Sequence, residues 1–148
     1  MKREYPEHPL IGVAAVLFDE GFVWLARRNQ EPSKGVWSLP GGLVEVGETH
    51  LEALARELGE ELGIAMTVGG LVGVYDRIFH DANSRVRYHY VVVDYWGYIA
   101  RGRPAAASDV SDVLRISLDQ VDRMGLEPEL IRAIREAERA RQRQLLAI

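Results

Sequence analysis

Alternating blocks of apolar and polar residues predict that the chain opens with β-strands. Residues 10–18 and 22–26 are apolar and rich in β-branched side chains, and the polar segment 19–21 between them contains a glycine. Two such runs around a short turn predict a β-hairpin. Residues 29–36 are polar and contain both proline and glycine, so we expect a loop that leads into a short strand at 37–39.

The spacing of apolar residues changes from strand-like to helical after residue 48. Thr49 is followed three residues later by Glu52, which predicts a capping box at the start of a helix, and Gly63 is suited to a left-handed cap at its end. We therefore expect a helix over residues 49–62. Its apolar stripe consists of Leu51, Leu54, Ala55, Leu58 and Leu62.

The second half of the chain repeats the change from strands to helix. Residues 71–79 and 86–100 are strand-like and are separated by a polar turn, which predicts a second hairpin. Ser117 with Gln120 indicates a short capped turn of helix. Residues 128–147 begin with a proline and carry apolar residues at helical spacing, so we expect a terminal helix there.

The order of these elements predicts the fold class. Strands, a central helix, further strands and a closing helix favour an α/β fold, in which a central mixed sheet is covered on both faces as an α/β/α sandwich. A length of 148 residues predicts a single domain, residues 1–148. The sequence contains no cysteine, which excludes a disulfide framework, a thiolate zinc site and a thiol nucleophile.

Charge and hydropathy narrow the classes of partner. The formal net charge is −4, which argues against a nucleic-acid polymer as partner, because binding to a polyanion depends on clustered lysine and arginine. The apolar run 10–18 is far shorter than the roughly 20 residues that a membrane-spanning helix requires. We read no secretion signal at the N-terminus. We therefore expect a cytoplasmic protein without a membrane partner.

Three glutamates of the predicted helix are candidates for metal binding. At about 100° per residue, Glu57, Glu60 and Glu61 share one edge beside the apolar stripe, where like charges three and four residues apart are destabilising. One interpretation is an ordinary solvated face in which Arg56 pairs with Glu60. The other, which the wider sequence favours, is a carboxylate cluster that gathers a hard divalent cation such as Mg²⁺.

The region around these glutamates resembles a known family motif. Gly42, Glu48 and the segment 56–64, Arg-Glu-Leu-Gly-Glu-Glu-Leu-Gly-Ile, stand at the spacing of the Nudix box of the Nudix hydrolases, here residues 42–64. The preceding segment 37–42 is also similar to the family's approach to the box. The resemblance implies a Nudix-type α/β/α sandwich that uses Mg²⁺ or Mn²⁺ to hydrolyse a nucleoside diphosphate linked to another moiety. It also implies a homodimer.

The resemblance assigns roles to residues of the box. Arg56 would brace the glutamates by ion pairing, and Glu48 would support the cluster. Members of the family differ in which carboxylate acts as the general base, so Glu57 is one candidate. The predicted metal ligands are the side chains of Glu57, Glu60 and Glu61 and the carbonyl of Gly42.

Three residues outside the glutamate helix are candidates for substrate binding. Arg28 ends the second predicted strand, where it is either solvated or, by resemblance, within reach of the substrate phosphates. Trp37 is suited to stacking on a base or to packing in the core. Asp109 lies in a polar loop before the segment 113–116, where relatives carry a further acidic residue that touches metal or water.

The substrate class is predicted by a weaker resemblance. The stretch from residue 88 to residue 118 is similar to that of small Nudix proteins grouped as ADP-ribose pyrophosphatase-like. Our first hypothesis is therefore cleavage of a nucleotide sugar of the ADP-ribose type. The alternatives are an NTP pyrophosphohydrolase that removes nonstandard nucleotides, and a non-catalytic Nudix-fold nucleotide sensor. The intact glutamate set argues against the sensor.

Overall fold

A computed structural model describes residues 2–147, so the first and last residues of the predicted domain lie outside the described residues. The elements are seven strands, two α-helices and a short 3-10 helix. They are β1 Leu10–Asp19, β2 Phe22–Arg28, β3 Trp37–Ser38, β4 Gly41–Leu43, α1 His50–Leu62, β5 Ala65–His80, β6 Val86–Arg101, β7 Val110–Ser117, the 3-10 helix Leu118–Arg123, and α2 Pro128–Leu146.

The strands form one mixed sheet, as predicted. Strand β1 pairs antiparallel with β2 and parallel with β6, and β6 pairs antiparallel with β5. Strand β7 pairs antiparallel with the other edge of β2. The predicted hairpin between β1 and β2 is confirmed: Asp19 and Phe22 are partners, and Glu20 and Gly21 of the turn both have positive φ angles, of 46° and 84°.

Strands β1 and β2 separate along their length, and the segment from residue 37 to residue 43 lies between them. Their direct pairing covers only the end of β1, from Leu17 to Asp19. Further along, β2 pairs with β3, while β1 pairs with β4. The amide of Ala15 also donates a hydrogen bond to the carbonyl of Pro40, at 3.0 Å. This crossing segment reaches the middle of the sheet and leads directly into the predicted box.

A helix covers each face of the sheet. Helix α1 buries Leu54, Leu58 and Leu62 in a cluster that also contains Val13 and Ala15 of β1. Helix α2 contributes to a second cluster, whose buried members include Phe18 of β1, Trp96 of β6, and Ile134 and Ala137 of α2. Because successive side chains of a strand point to opposite faces, β1 supplies both clusters. This arrangement confirms the predicted α/β/α sandwich.

The predicted ends of α1 are confirmed. The Thr49 hydroxyl accepts a hydrogen bond from the Glu52 amide at 3.1 Å, and the Glu52 carboxylate accepts one from the Thr49 amide at 3.0 Å. Gly63 ends the helix with a φ of 68°. The buried face, however, is rotated from the predicted stripe. Leu51 is 42% exposed and Ala55 is exposed, whereas Ala53 and Glu61 are buried.

Strand β5 is longer than the sequence pattern predicts. It begins at Ala65 rather than at residue 71, and it continues through Gly69 and Gly70 with a register shift. The added residues pair with the end of β6, from Trp96 to Arg101. Glycine is required at position 69 because a Cβ there would overlap the ring of Trp96. Within residues 2–147, no helix is both long and apolar enough to cross a membrane.

Candidate active site

Two glutamates of α1 approach the crossing segment closely. The Gly41 amide donates a hydrogen bond to Oε2 of Glu61 at 3.3 Å. At Gly42, an added Cβ would overlap the carboxylate of Glu57, so the close approach depends on glycine at that position. The strand pairing of β4 with β1 and the packing of α1 on the same face bring these groups together.

Glu57 and Glu61 line a small pocket at this junction. The pocket has a volume of about 60 Å³ and also contains Arg28, Gly42 and Asp109 in its walls. We call it the acidic pocket. The structure thus places four of the residues predicted for metal or substrate binding, together with Gly42, around one space, although they come from β2, β4, α1 and the loop before β7.

The acidic pocket brings together carboxylates whose ionised forms are disfavoured by burial. Glu61 is only 7% exposed, and burial raises its pKa to about 8, helped by the negative charges of Glu57 and Asp109. Burial also raises the pKa of Glu57, against the lowering effect of Arg56. A divalent cation would favour the ionised form of both carboxylates and would take their oxygens as ligands. The donor set therefore fits a hard cation.

Glu60 lies at the rim of this arrangement. Its side chain is 50% exposed and Oε2 lies 3.2 Å from Nη1 of Arg56, while Glu57 and Glu61 face the acidic pocket. Among residues 2–147, no group of three or more His, Asp or Glu side chains stands in an arrangement ready to hold a metal. The structure thus brings two of the three predicted carboxylates together and leaves the third beside them, so the role of Glu60 stays a prediction.

Arg56 connects the glutamates to the loop before the helix. Its Nε and Nη2 donate to the two carboxylate oxygens of Glu48 at 2.7 and 2.9 Å, a bidentate contact. Its Nη1 donates to Glu57 at 2.9 Å, and its Nη2 also donates to the Leu43 carbonyl at 2.9 Å. The arginine lowers the pKa of Glu48 to about 2. Arg56 is thus in position to hold the carboxylate of Glu57 toward the acidic pocket.

A larger cavity adjoins the acidic pocket. It has a volume of about 420 Å³ and lies on the α2 side of the sheet, with walls from β1, β5, β6, α2 and the crossing segment. We call it the main cavity. Arg3, Arg28, Gly41 and Gly42 line both spaces, so the two adjoin at these residues. An anion that spans the two spaces would therefore lie against two arginines and a stretch of glycine backbone.

The three predicted substrate-binding residues are placed differently. Arg28 is half-buried and donates from Nε to the Pro32 carbonyl at 2.8 Å; burial lowers its pKa, and the charge of Glu61 opposes this. Trp37 lines the main cavity and packs against the α2-side core. Asp109 lines the acidic pocket, and its Oδ1 accepts a hydrogen bond from Gln30 at 2.8 Å.

Comparison with known proteins assigns the family. A family model described as NUDIX domain matches residues 8–137. An ADP-ribose pyrophosphatase of Methanocaldococcus jannaschii is 32% identical over 124 residues, which are 84% of this chain and 71% of that protein. The chain belongs to the Nudix hydrolase family. The resemblance identified from residues 42–64 is thereby confirmed, and the protein is an enzyme of this family rather than an unrelated protein with an acidic helix.

Other relatives of this Nudix hydrolase match over shorter stretches or by structure. A CTP pyrophosphohydrolase of Escherichia coli is 46% identical over 66 residues, and the matched region spans about half of each protein, 44% of this chain and 49% of the relative. A MutT NUDIX hydrolase from Burkholderia pseudomallei superposes with a TM-score of 0.75 at 30% identity, over 88% of this chain and 98% of that one.

A second solved structure is described with a bound nucleotide sugar. The NUDIX domain of Shewanella oneidensis NrtR, described in complex with ADP ribose, has a TM-score of 0.71 to this Nudix hydrolase at 25% identity. The match covers 94% of this chain and 90% of that one. Together with the match to the Burkholderia enzyme, it supports the α/β/α sandwich with a mixed sheet.

Sequence reasoning missed much of the main cavity in this Nudix hydrolase, and three of the missed residues bear on its chemistry. They are Arg3, Tyr90 and Asp94. A signal for Asp94 is present in the sequence, since it is an acidic residue at an i+2 position between Val92 and Trp96, where the other side chains on that face of β6 are apolar or aromatic. No comparable signal marks Arg3, which lies before the first strand.

Proposed function

We propose that this Nudix hydrolase cleaves the pyrophosphate linkage of a nucleotide sugar of the ADP-ribose type, with Mg²⁺ or Mn²⁺ as cofactor. The observation that carries the proposal is that Arg28, Gly41 and Gly42 line both the acidic pocket and the main cavity, so the two spaces adjoin. A substrate with a central pyrophosphate and a bulky organic group needs both spaces. The pyrophosphate lies at the junction, and the organic group fills the main cavity.

The residues of the acidic pocket have separate tasks in this proposal. Glu57 and Glu61, with the Gly42 carbonyl, hold the cation, and Glu60 turns in from the rim. When bound, the cation supplies neutralisation of phosphate charge and a lower pKa for an attacking water. Arg28 binds a phosphate oxygen, and Asp109 orients water near the carboxylates. The general base is one of these carboxylates, with Glu57 as one candidate.

Burial and rigidity support this division of tasks. Glu57 and Glu61 are held on a capped helix, and Arg56 fixes one oxygen of Glu57, so little reorganisation is needed when the cation and substrate bind. The relatives support the substrate class. One is an ADP-ribose pyrophosphatase, and another is a NUDIX domain described in complex with ADP ribose.

The test is a product assay with purified protein. The protein is incubated with MgCl₂ or MnCl₂ and with ADP-ribose, other nucleotide sugars or a panel of NTPs. Cleavage of ADP-ribose yields two phosphomonoesters, which release orthophosphate when a phosphatase is added afterwards. Direct release of pyrophosphate from an NTP, with ADP-ribose untouched, would instead support the alternative of an NTP pyrophosphohydrolase.

A matched pair of variants tests the site. Glu61→Gln removes a carboxylate of the acidic pocket and should lower kcat by at least about a hundredfold, since its oxygen would be a direct ligand of the cation. Glu52→Gln makes the same change on the same helix, where glutamine also completes a capping box, and should leave kcat unchanged. Full activity in Glu61→Gln would show that the cation is held elsewhere.

A further inference from the structure

Two buried polar atoms in the described chain have no hydrogen-bond partner, and both belong to residues of the main cavity. They are Oη of Tyr90 and Oδ1 of Asp94. Both residues lie on β6, four positions apart, so they project from the same face of the strand. Buried polar groups are almost always paired, so two unpaired atoms in one cavity point to a ligand that supplies the partners.

The surroundings of Asp94 explain why it is unpaired. It is 5% exposed, and its neighbours in the sheet, Ala14 on β1 and Gly73 on β5, have no polar side chain. Two donors on the adjacent strand β5 are committed to other acceptors. The Tyr75 hydroxyl donates to the Glu136 carboxylate, and the Arg77 guanidinium pairs with Glu129 at 3.0 Å. A carboxylate with a purely structural role would be expected to have taken one of these donors.

The walls near Asp94 favour a flat ring with a polar edge. Leu130 and Ala133 of α2 are buried and line the main cavity, and Val92 is the next residue on the same face of β6. A sugar carries several hydroxyl groups and would need a polar partner for each. A nucleobase presents apolar faces and places its donors at the edge, so a single unpaired acceptor beside Leu130 and Ala133 suits it better.

The register of the sheet relates Asp94 to the junction between the main cavity and the acidic pocket. Tyr90 lies close enough to Arg28 for the two side chains to interact electrostatically, and Arg28 lines the junction with the acidic pocket. Four residues of strand separate Tyr90 from Asp94, a distance of roughly 13 Å. Gly41 at the junction pairs with Ala14, and Ala14 pairs with Asp94, so a ligand with its pyrophosphate at the junction reaches Asp94 across β1.

We propose that Asp94 is a specificity-determining residue that accepts a hydrogen bond from the exocyclic amino group of the substrate's nucleobase. The inference rests on the proposed function, because the position of the substrate's pyrophosphate is part of that proposal. Asp94 takes no part in the cleavage step itself. It selects bases that offer an amino group, as adenine does, over bases that lack one.

The test compares ADP-ribose with its 6-deamino analogue, in which hydrogen replaces the amino group of the base. The wild-type enzyme should prefer ADP-ribose by at least about tenfold in kcat/KM, with the difference in KM. In Asp94→Val this preference should fall to near one. Asp94→Asn keeps a neutral acceptor and should show an intermediate preference, because hydrogen bonds to charged acceptors are stronger.

The outcomes distinguish a failure of the role assigned to Asp94 from a failure of the proposed function. Replacing an unpaired buried carboxylate with an apolar side chain should not lower the melting temperature, so Asp94→Val is expected to fold. Hydrolysis of both substrates with an unchanged ratio in both variants would overturn the role of Asp94 and leave the proposed function standing. If the wild-type enzyme cleaves neither substrate, the proposed function fails and the inference fails with it.

A third substrate distinguishes the base from the sugar. ADP-glucose carries the same base as ADP-ribose with a different terminal group. If the Asp94 variants change the ratio between ADP-ribose and ADP-glucose, and not the ratio between ADP-ribose and the deamino analogue, the far end of the main cavity binds the sugar and the assignment to the base is wrong.

Discussion

The acidic pocket can form because Gly42 has no side chain. The carboxylate of Glu57 occupies the space where a Cβ on residue 42 would lie. The same approach brings Glu57 close to the Glu61 carboxylate, whose pKa it helps to raise. Side-chain volume at this residue therefore sets the position of a predicted metal ligand, without any effect on the hydrogen-bonding capacity of the backbone.

Gly42→Ala should displace Glu57 and lower activity by on the order of a hundredfold, because a misplacement of about 1 Å at a catalytic site has an effect of that size. The measurement is kcat with saturating Mg²⁺, together with the apparent affinity for Mg²⁺. Gly59→Ala, on α1, is the control, since its Cβ would meet no atom within 4 Å. Wild-type kinetics in Gly42→Ala would contradict the predicted role of Glu57.

Arg56 acts on the site through two carboxylates at once. It holds Glu48 with two nitrogens and Glu57 with the third. Lysine has the same charge but cannot make the bidentate contact. Arg56→Lys should therefore lower activity or metal affinity by about 10–100-fold, the usual effect of losing a group that orients a metal ligand.

Arg135→Lys provides the control for this substitution. Arg135 also contacts two carboxylates, those of Asp122 and Glu138, and the carbonyl of Leu118, but it lies on α2 outside both cavities. Its replacement should leave kcat and the Mg²⁺ requirement unchanged. Equal losses of activity in the two variants would indicate a general effect on the fold rather than an effect on Glu57.

At the scale of the element, α1 provides a rigid support for the glutamates. Its first turn is held by the capping box of Thr49 and Glu52, and its last turn by Gly63, whose amide donates to the carbonyl of Gly59. Between these ends, Leu54, Leu58 and Leu62 fix the rotation of the helix about its axis. Glu57 and Glu61 must then face the crossing segment.

Replacement with alanine should change the stability of the protein in opposite directions at Gly59, within α1, and at Gly63, which caps its end. Gly59 lies in the helix with open space beside it, so Gly59→Ala should stabilise the protein by about 0.5–1 kcal/mol. Gly63 has a φ of 68°, where a Cβ is strained, so Gly63→Ala should destabilise it by about 1 kcal/mol. Thermal unfolding measures both, and the same sign for both would contradict the helix geometry.

At the scale of the molecule, the buried carboxylates make stability depend on pH. Burial raises the pKa of Glu61 to about 8 and that of Asp94 to about 7. Both values lie above those of the unfolded chain, so the folded protein holds protons that the unfolded chain has lost. This contribution to stability is fully present below the unfolded pKa values, near pH 4, and is lost as pH rises through 7 and 8.

Metal-free protein should therefore unfold more readily at pH 8.5 than at pH 6, by at most about 1.4 kcal/mol for each pH unit between 6 and the folded pKa of each carboxylate. Urea unfolding at a series of pH values measures the effect. Glu61→Gln should flatten the profile and raise the stability of metal-free protein at high pH. Mg²⁺ should stabilise the wild type and not this variant. A pH-independent wild type would show that Glu61 is solvated.

The predicted homodimer also belongs to this scale and stays a prediction. Light scattering on purified protein in dilute solution would give the mass of the particle, and the chain itself has a mass of 16.6 kDa. A mass near that of one chain at all concentrations tested would show that the expectation taken from the family resemblance is wrong for this protein.

The sequence by itself determined the features that depend on neighbouring residues. The limits of α1 follow from Thr49, Glu52 and Gly63, because caps are formed by residues three or four positions apart. The placement of Glu57 and Glu61 on one edge follows from the helical repeat alone. The order of strands and helices predicts the sandwich, and the spacing within residues 42–64 identifies the family.

Only the tertiary structure decided how buried each of these residues is. Helical spacing treats Glu60 and Glu61 almost alike, yet packing against the crossing segment buries Glu61 and leaves Glu60 half exposed. The pairing of β6 with β1 and β5 likewise places Asp94 between residues without polar side chains. Burial and pKa depend on contacts between residues far apart in the chain, and a local pattern carries no information about those contacts.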